Sequence, residues 1–338
     1  MANIMINDVC NLRCPYCFAN EFVNEKASNK NDMTLENFKK AVDFTVKKDD
    51  RIGIIGGEPT LHPKLPAMLD CLINDIRVNN VLLFSNGINL NKVTKYLLND
   101  KFRVLINLNP KSITGEKKHA KILENLDDLY FEYNQKDTID IGVNVYKKNM
   151  DFEFLLNVLK RYKQSSVRVS ITIPNKANDK KVIDRHLELK PELITLFKKL
   201  DRIGVVPYFD CARIPACILD EKEKIFFNNL QNQKQNVRKN LLTLGKCQPI
   251  VDILPTLEAV RCFGTSRALK LHIKDFKDTN ELRRRFEVEF DNFVYQIPST
   301  EECIDCQYRT NGDCMGGCLA YKSDKIKKVK DMISGEFL

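Results

Sequence analysis

The sequence predicts an α/β fold, and three observations carry that prediction. Short apolar runs alternate with amphipathic stretches from the N-terminus to Ile173, the pattern of strand–helix units repeated around a parallel sheet. Six such units fit into that stretch, too few to close an eight-stranded barrel. The residues with the most distinctive chemistry fall where the predicted strands end, and ligands of open parallel sheets bind outside the carboxyl ends of the strands.

Asn3 to Val9 reads as the first strand, followed by a cysteine-bearing loop. Thr34 to Lys47 reads as a helix, with the Thr34 hydroxyl as its N-cap and Asn37 three residues on. Arg51 to Ile55 is the second strand and ends in Gly56-Gly57-Glu58-Pro59. Leu65 to Ile76 is helical. Asn80 to Phe84 is the third strand, closing on Ser85-Asn86-Gly87, and Asn91 to Leu98 is the next helix. Phe102 to Leu108, Ile139 to Tyr146 and Val167 to Ile173 supply the remaining strands, with helices over Glu116 to Tyr130 and Phe152 to Tyr162, and Pro174 ends the sixth strand. Leu187 to Leu200 and Glu221 to Leu244 read as helices, the second polar enough to be a surface bridge. From Cys247 onward the strands are short and the cysteines dense. The expected organisation is a strand–helix domain over 1–200, a bridging segment over 201–246 and a small cysteine-rich domain over 247–338.

The 338 residues suffice for about two domains. No apolar run approaches about eighteen residues, so no membrane span is expected. Met1 to Val9 lack a basic and then apolar leader, so no signal peptide is expected and the compartment is read as cytoplasmic. Twelve cysteines in a reducing compartment read as metal ligands more readily than as disulfides. The net charge of +9, from 54 basic and 45 acidic residues, is interspersed. It describes a solvated surface rather than a nucleic-acid footprint, and would also suit an acidic peptide or a carboxylate-bearing cofactor.

Cys10, Cys14 and Cys17 stand three and then two residues apart just after the first strand. A Cys-x2-Cys pair with a second pair elsewhere is the pattern of a structural zinc site, and a second pair does exist near the C-terminus. The extra Cys10 favours an iron-sulfur anchor that uses all three. Four cysteines normally hold a [4Fe-4S] cluster, so three leave one iron open to bind and cleave something.

That spacing, the aromatic Tyr16 before the third cysteine, and Gly56-Gly57-Glu58-Pro59 one strand later resemble the radical S-adenosylmethionine (radical SAM) superfamily. The resemblance implies an open, partial (β/α)6 barrel. It also implies a [4Fe-4S] cluster on Cys10, Cys14 and Cys17, and S-adenosylmethionine chelated to that cluster. Gly56, Gly57, Glu58 and Pro59 would receive the cofactor's methionyl amino group. Ser85-Asn86-Gly87 looks like the Thr-Asn-Gly turn that relatives often carry near the cofactor, although a plain turn reads equally well. Asn107 and Asn109 could reach ribose or carboxylate oxygens, with a turn role as the plainer reading. His62 reads as structural, Cys71 as a buried core thiol, and Asp210 as a residue supporting Cys211 or acting in catalysis.

Cys303-x2-Cys306, then Cys314-x3-Cys318, with Cys247 and Cys262 upstream, resemble the auxiliary-cluster domain called SPASM. Three departures stand out: seven residues separate Cys306 from Cys314 where five are expected, Leu257 replaces a glycine, and no cysteine follows Cys318. Cys211 and Cys217 could fill that last gap, which would give eight thiols for two auxiliary [4Fe-4S] clusters, or one cluster with spare thiols. The resemblance implies a peptide or protein substrate that is crosslinked, oxidised or epimerised, and an electron donor such as flavodoxin or ferredoxin. Because Cys262 is followed by Phe263 rather than aspartate, sulfatase maturation is disfavoured. With the first strand at Asn3, no leader-recognition domain is expected ahead of it, so a separate leader-peptide-binding protein or the barrel itself would hold a leader. The alternatives are a radical SAM enzyme acting on a small molecule or RNA, a non-enzymatic iron-sulfur electron carrier or regulator, and a zinc protein.

Overall fold

The computed structural model describes residues 1–17, 19, 23, 31–171, 182–209, 211, 213–232, 242–243 and 247–322. Its strands are β1 (Ala2–Met5), β2 (Arg51–Ile55), β3 (Asn80–Ser85), β4 (Phe102–Asn107), β5 (Ile139–Val145) and β6 (Ser166–Ile171). They continue with β7 (Val206–Tyr208), β8 (Ile214–Pro215), β9 (Leu242–Thr243), β10 (Asp252–Ile253), β11 (Glu258–Val260) and β12 (Lys270–His272). A helix follows each of the first six strands in sequence, so the predicted α/β units are present.

The chain falls into two compact units, one of Met1–Ile141 with Pro249–Glu287 and one of Gly142–Gln248 with Val288–Leu338. These do not follow the three consecutive segments expected from sequence, because β10 to β12, read as the start of a separate domain, belong to the first unit. There the strand order is β12-β11-β10-β1-β2-β3-β4. β1 to β4 are parallel, β10 joins β1 in parallel, and β11 and β12 continue antiparallel. Ile4 pairs with Ile54, Ile54 with Leu83 and Leu83 with Val104, and all four are buried. This apolar row, worth about 1.5–3 kcal/mol per side chain, holds the strands in register and brings their carboxyl ends level. The helix Leu35–Thr45 begins where the hydroxyl of Thr34 accepts from the Asn37 N–H at 3.1 Å, as the cap predicts.

In the second unit β5, β6 and β7 are parallel neighbours, with Val143 opposite Val169. The helix Val182–Arg202 carries Phe197, which stacks edge-on against Phe227 of the helix Glu221–Asn232 at 5.3 Å between ring centroids. β8 and β9 form a separate two-stranded ladder.

Several boundaries differ from the sequence reading. The first strand ends at Met5 rather than Val9, because Ile6 to Val9 turn to bond the strand end beside them. The helix read over Asn91 to Leu98 is a 3-10 turn (Leu90–Lys92) and a single α turn (Thr94–Leu97). The helix read over Glu116 to Tyr130 ends at Asp127 and widens into a π turn over Asp128–Glu132. The polar helix read over Glu221 to Leu244 is described over Glu221–Asn232, residues 233–241 lie outside the described residues, and Leu242–Thr243 is a strand because pairing with Ile214–Pro215 satisfies its backbone. No helix among the described residues is long and apolar enough to cross a membrane.

Candidate radical SAM site and auxiliary thiols

The site begins with the path of Ile6 to Val9. The Ile6 N–H donates to the Ile55 carbonyl at 2.9 Å, the Gly57 N–H to the Asn7 carbonyl at 3.0 Å, and the Glu58 N–H to the Val9 carbonyl at 2.8 Å. The lead-in to the cysteines is thus laced to the turn after β2. A Cβ on Gly57 would lie 2.4 Å from the Val9 carbonyl oxygen, and one on Gly56 would lie 2.0 Å from Asn7 Oδ1. Neither glycine is among the positive-φ residues. Both are needed because the cysteine loop passes directly over them, a reason the sequence could not supply.

Cys10, Cys14 and Cys17 are each half-buried. The Cys17 N–H donates to the Cys14 carbonyl at 3.1 Å, and the Leu12 N–H to Cys10 Sγ at 3.4 Å. Burial pushes the Cys10 thiol up to about 12, and the charges of Glu58, Cys14 and Cys17 push the same way while the Leu12 N–H opposes them. Burial also raises Cys14, to about 11, against hydrogen bonds from Tyr16 and Asn109, and raises Cys17. The three thiols therefore share one poorly hydrated place, where a coordinated metal would be what deprotonates them. Among the described residues no group of three or more His, Cys, Asp or Glu side chains is set to hold a single metal ion. Three thiols that each reach a different iron of one cluster need not converge on a point, so this set fits the [4Fe-4S] anchor.

Glu58 is 1% exposed and caps the 3-10 turn Pro59–Leu61. Its Oε1 accepts from the Thr60 N–H (3.2 Å), the Thr60 hydroxyl (2.6 Å) and the Ser85 hydroxyl (2.9 Å), and its Oε2 accepts from the Asn86 N–H (2.7 Å). Burial raises its carboxyl pKa against these bonds. Glu58 and Ser85 thereby tie the end of β2 to the end of β3. Asn86 donates to Asn11 Oδ1 in the cysteine loop at 2.7 Å. Gly87 has φ 85°, and Asn125 donates to the Gly87 and Ile88 carbonyls at 2.9 Å each, fixing this turn from the helix Glu116–Asp127.

Asn107 ends β4, half-buried, and its carbonyl accepts from Asn109 Nδ2 at 3.2 Å. Asn109 Oδ1 accepts a short hydrogen bond from the Tyr16 hydroxyl, so the fourth strand's end is joined to the cysteine loop as well. His62 is structural: its Nε2 lies 3.1 Å from the Met33 carbonyl and its Nδ1 accepts from the Lys64 N–H at 3.0 Å. Sequence reasoning missed Asn7, Asp8, Asn11 and Asn125. The buried Asp8 accepts both the backbone and side-chain N–H of Asn31 at 3.1 and 3.0 Å, which anchors the chain where it leaves the loop region. Short Asn and Asp side chains after a strand are the signal that could have pointed to them.

In the second unit Cys217, Cys303, Cys306 and Cys314 line one cavity. Cys211, Cys247 and Cys318 are not among its lining residues. Cys262 belongs to the first unit, with its sulfur 3.5 Å from the Thr265 hydroxyl. Cys71 lies in the helix Leu65–Asn74, partly buried. Asp210 lies outside the described residues.

A family model described as the radical SAM superfamily matches residues 4–189, and the chain belongs to that superfamily. Its six strand–helix units are those of the superfamily's partial (β/α)6 barrel, and membership implies a [4Fe-4S] cluster and S-adenosylmethionine as cofactors. The chain is 23% identical over 278 residues to an uncharacterized protein of Methanocaldococcus jannaschii, covering 77% of this chain and 86% of that one. It is 28% identical to a GTP 3',8-cyclase of Tolumonas auensis over 135 residues, 37% of this chain and 39% of the cyclase. Among solved structures, Streptococcus suis SuiB bound to S-adenosylmethionine superposes with a TM-score of 0.61 at 11% identity, over 94% of this chain and 72% of SuiB. SuiB bound to its precursor peptide SuiA gives a TM-score of 0.59.

Proposed function

We propose that this radical SAM enzyme modifies a peptide or protein, by crosslinking, thioether formation, oxidation or epimerisation, as in the maturation of a ribosomally made peptide. The observation that carries the reading is the second set of gathered thiols, in the cysteine-rich segment that resembles SPASM. A fold shared with SuiB, whose structure is described with a precursor peptide, supports it. When bound, the cluster and S-adenosylmethionine supply a 5'-deoxyadenosyl radical that takes a hydrogen atom from the substrate.

The chain's own part is to hold and orient. Cys10, Cys14 and Cys17 hold the radical-forming cluster. Because both Glu58 oxygens are engaged, Glu58 acts as a positioning residue, and the backbone of Gly56 and Gly57 with Pro59 meets the methionyl group. Ser85, Asn86 and Asn107 face the rest of the cofactor from the ends of β3 and β4. Phe263 is buried and apolar where sulfatase-maturing relatives place a base, which disfavours that reaction. An electron donor such as flavodoxin or ferredoxin reduces the clusters, a separate protein presents any leader, and the setting is the cytoplasm.

A second reading, chemistry on a small molecule, is favoured by the similarity to GTP 3',8-cyclases. The test is anaerobic reconstitution with S-adenosylmethionine and dithionite, following 5'-deoxyadenosine with a random peptide library or with GTP. Deoxyadenosine accompanied by a mass change in library members is the expected result. Stimulation by GTP alone, with a changed nucleotide, would replace the peptide reading with the second one.

A further inference from the structure

The cavity in the second unit draws its four sulfurs from two widely separated stretches of chain. Cys303 ends the 3-10 turn Glu301–Cys303, and Cys306 immediately precedes the short helix Gln307–Thr310. The Cys314 N–H donates to the Tyr308 carbonyl at 2.9 Å, which folds the chain back so that Cys314 joins them. Gly316 and Gly317 then take φ of 77° and 85°, and the Gly316 N–H donates to Cys314 Sγ at 3.3 Å. Cys217 arrives from far upstream, in the turn Ala216–Ile218 directly after β8.

Two cationic side chains brace the backbone around these sulfurs. Arg309 lines the cavity and donates to the Cys303 carbonyl at 3.2 Å and the Gln296 carbonyl at 2.8 Å. Lys322, fully buried, donates to the Met315 carbonyl at 2.7 Å, on the loop that carries Cys314. No carboxylate or imidazole is among the cavity's described lining residues, so beside the four thiols only the Tyr308 phenol offers a side-chain donor to a metal, and sulfur dominates the set.

We propose that Cys217, Cys303, Cys306 and Cys314 together ligate one auxiliary [4Fe-4S] cluster, its fourth thiolate supplied from upstream in place of a cysteine beyond Cys318. This rests on reading the C-terminal cysteines as auxiliary-cluster ligands. Four thiolates close the cluster, so it carries electrons and leaves no iron open for substrate. Cys211, Cys247, Cys262 and Cys318 are left outside this set.

The test is thiol protection in the full-length wild-type chain, reconstituted anaerobically, with iodoacetamide labelling read by mass spectrometry and iron, sulfide and zinc counted per chain. Cys217, Cys303, Cys306 and Cys314 should resist alkylation together and become reactive together once the cluster is stripped with a chelator and ferricyanide. Cys217→Ala should lose about four irons and four sulfides, whereas Cys71→Ala should lose none. Free labelling of Cys217 while Cys303, Cys306 and Cys314 stay protected would overturn the assignment, as would zinc in place of iron in this set. A wild-type chain holding only about four irons, with all four cavity thiols reactive, would instead overturn the auxiliary-cluster reading on which the inference rests.

Discussion

The two thiol sites are held in place by different means. The loop of Cys10, Cys14 and Cys17 is clamped by backbone bonds to the Gly56-Gly57-Glu58 turn and by Asn86 and Asn109 from the next strand ends. The cavity of Cys217, Cys303, Cys306 and Cys314 is held by cationic side chains on carbonyls and by glycines of positive φ. A loop that its neighbours already hold can lack a fourth thiol and still keep its shape, which is what an open iron requires. Under the proposed assignment, a site assembled from distant segments would gain its order from closing all its ligands, so metal binding there would contribute folding energy.

The largest effect expected is at the first site. Cys14→Ala should cut 5'-deoxyadenosine formation by more than about a hundredfold and remove about four irons. Visible absorption from the cavity cluster should persist in that variant. Loss of all colour would show that the two sites fold as one. Next comes Gly57→Ala, whose Cβ would lie 2.4 Å from the Val9 carbonyl oxygen and 3.0 Å from the Cys10 nitrogen. Backbone must move, so the radical cluster's iron and deoxyadenosine formation should fall at least about tenfold. Gly312→Ala, near the cavity, meets nothing within 4 Å and has only its φ of 76° to oppose it. Its cost should be about 1 kcal/mol with iron unchanged; equal effects from the two alanines would erase the contrast.

Much of the first site could be read from residue type and spacing. The cysteine trio, the two glycines and Ser85-Asn86 fall at strand ends because short apolar runs locate the strands and the motifs follow them. What could not be read were contacts between strand ends: Tyr16 with Asn109, Asn11 with Asn86, Asp8 with Asn31. Each depends on register, set by pairings such as Ile4 with Ile54, and not on neighbours in sequence. The cavity was legible only as arithmetic. Eight thiols could be counted, but which of Cys211 and Cys217 meets Cys303 depends on the turn after β8. β9 was misread as helix because Leu242–Thr243 is too short to show a strand pattern of its own, and its pairing with Ile214–Pro215 is distant in sequence.

A smaller effect, mainly on stability, is expected from Glu58→Gln. The glutamine keeps one oxygen for the Thr60 and Ser85 donors, and its amide nitrogen then faces the Asn86 N–H. Two donors facing each other in a buried place should cost about 1–3 kcal/mol, read as a lowered denaturation midpoint with unchanged slope. S-adenosylmethionine affinity should weaken only as far as the β2 and β3 ends loosen, and iron in the C-terminal cavity should be unaffected. A large loss of S-adenosylmethionine affinity at unchanged stability would instead place the carboxylate in direct contact with the cofactor.

The smallest effect on the clusters, and the most dependent on pH, belongs to Asp252 beneath the first loop. Asp252 accepts from Asn3 Nδ2 at 2.7 Å and from the Phe263 N–H, and Phe263 packs in the apolar cluster against which Cys17 rests. Burial lifts the Asp252 carboxyl to about 7, with those two hydrogen bonds opposing the shift. The folded chain therefore binds the proton more tightly than the unfolded chain between the ordinary 3.8 and about 7. Stability from this group falls as pH rises through that window and is level above it. Asp252→Asn carries no such charge, so its stability relative to wild type should improve by on the order of 2–4 kcal/mol from about pH 4 to about pH 8. Thermal melts of both proteins at the two pH values measure this, and a difference independent of pH would mean that the carboxyl is ionised throughout. Iron bound by Cys10, Cys14 and Cys17 should scarcely change in the variant, because the backbone bonds to Gly57 and Glu58, not the floor under Cys17, hold that loop.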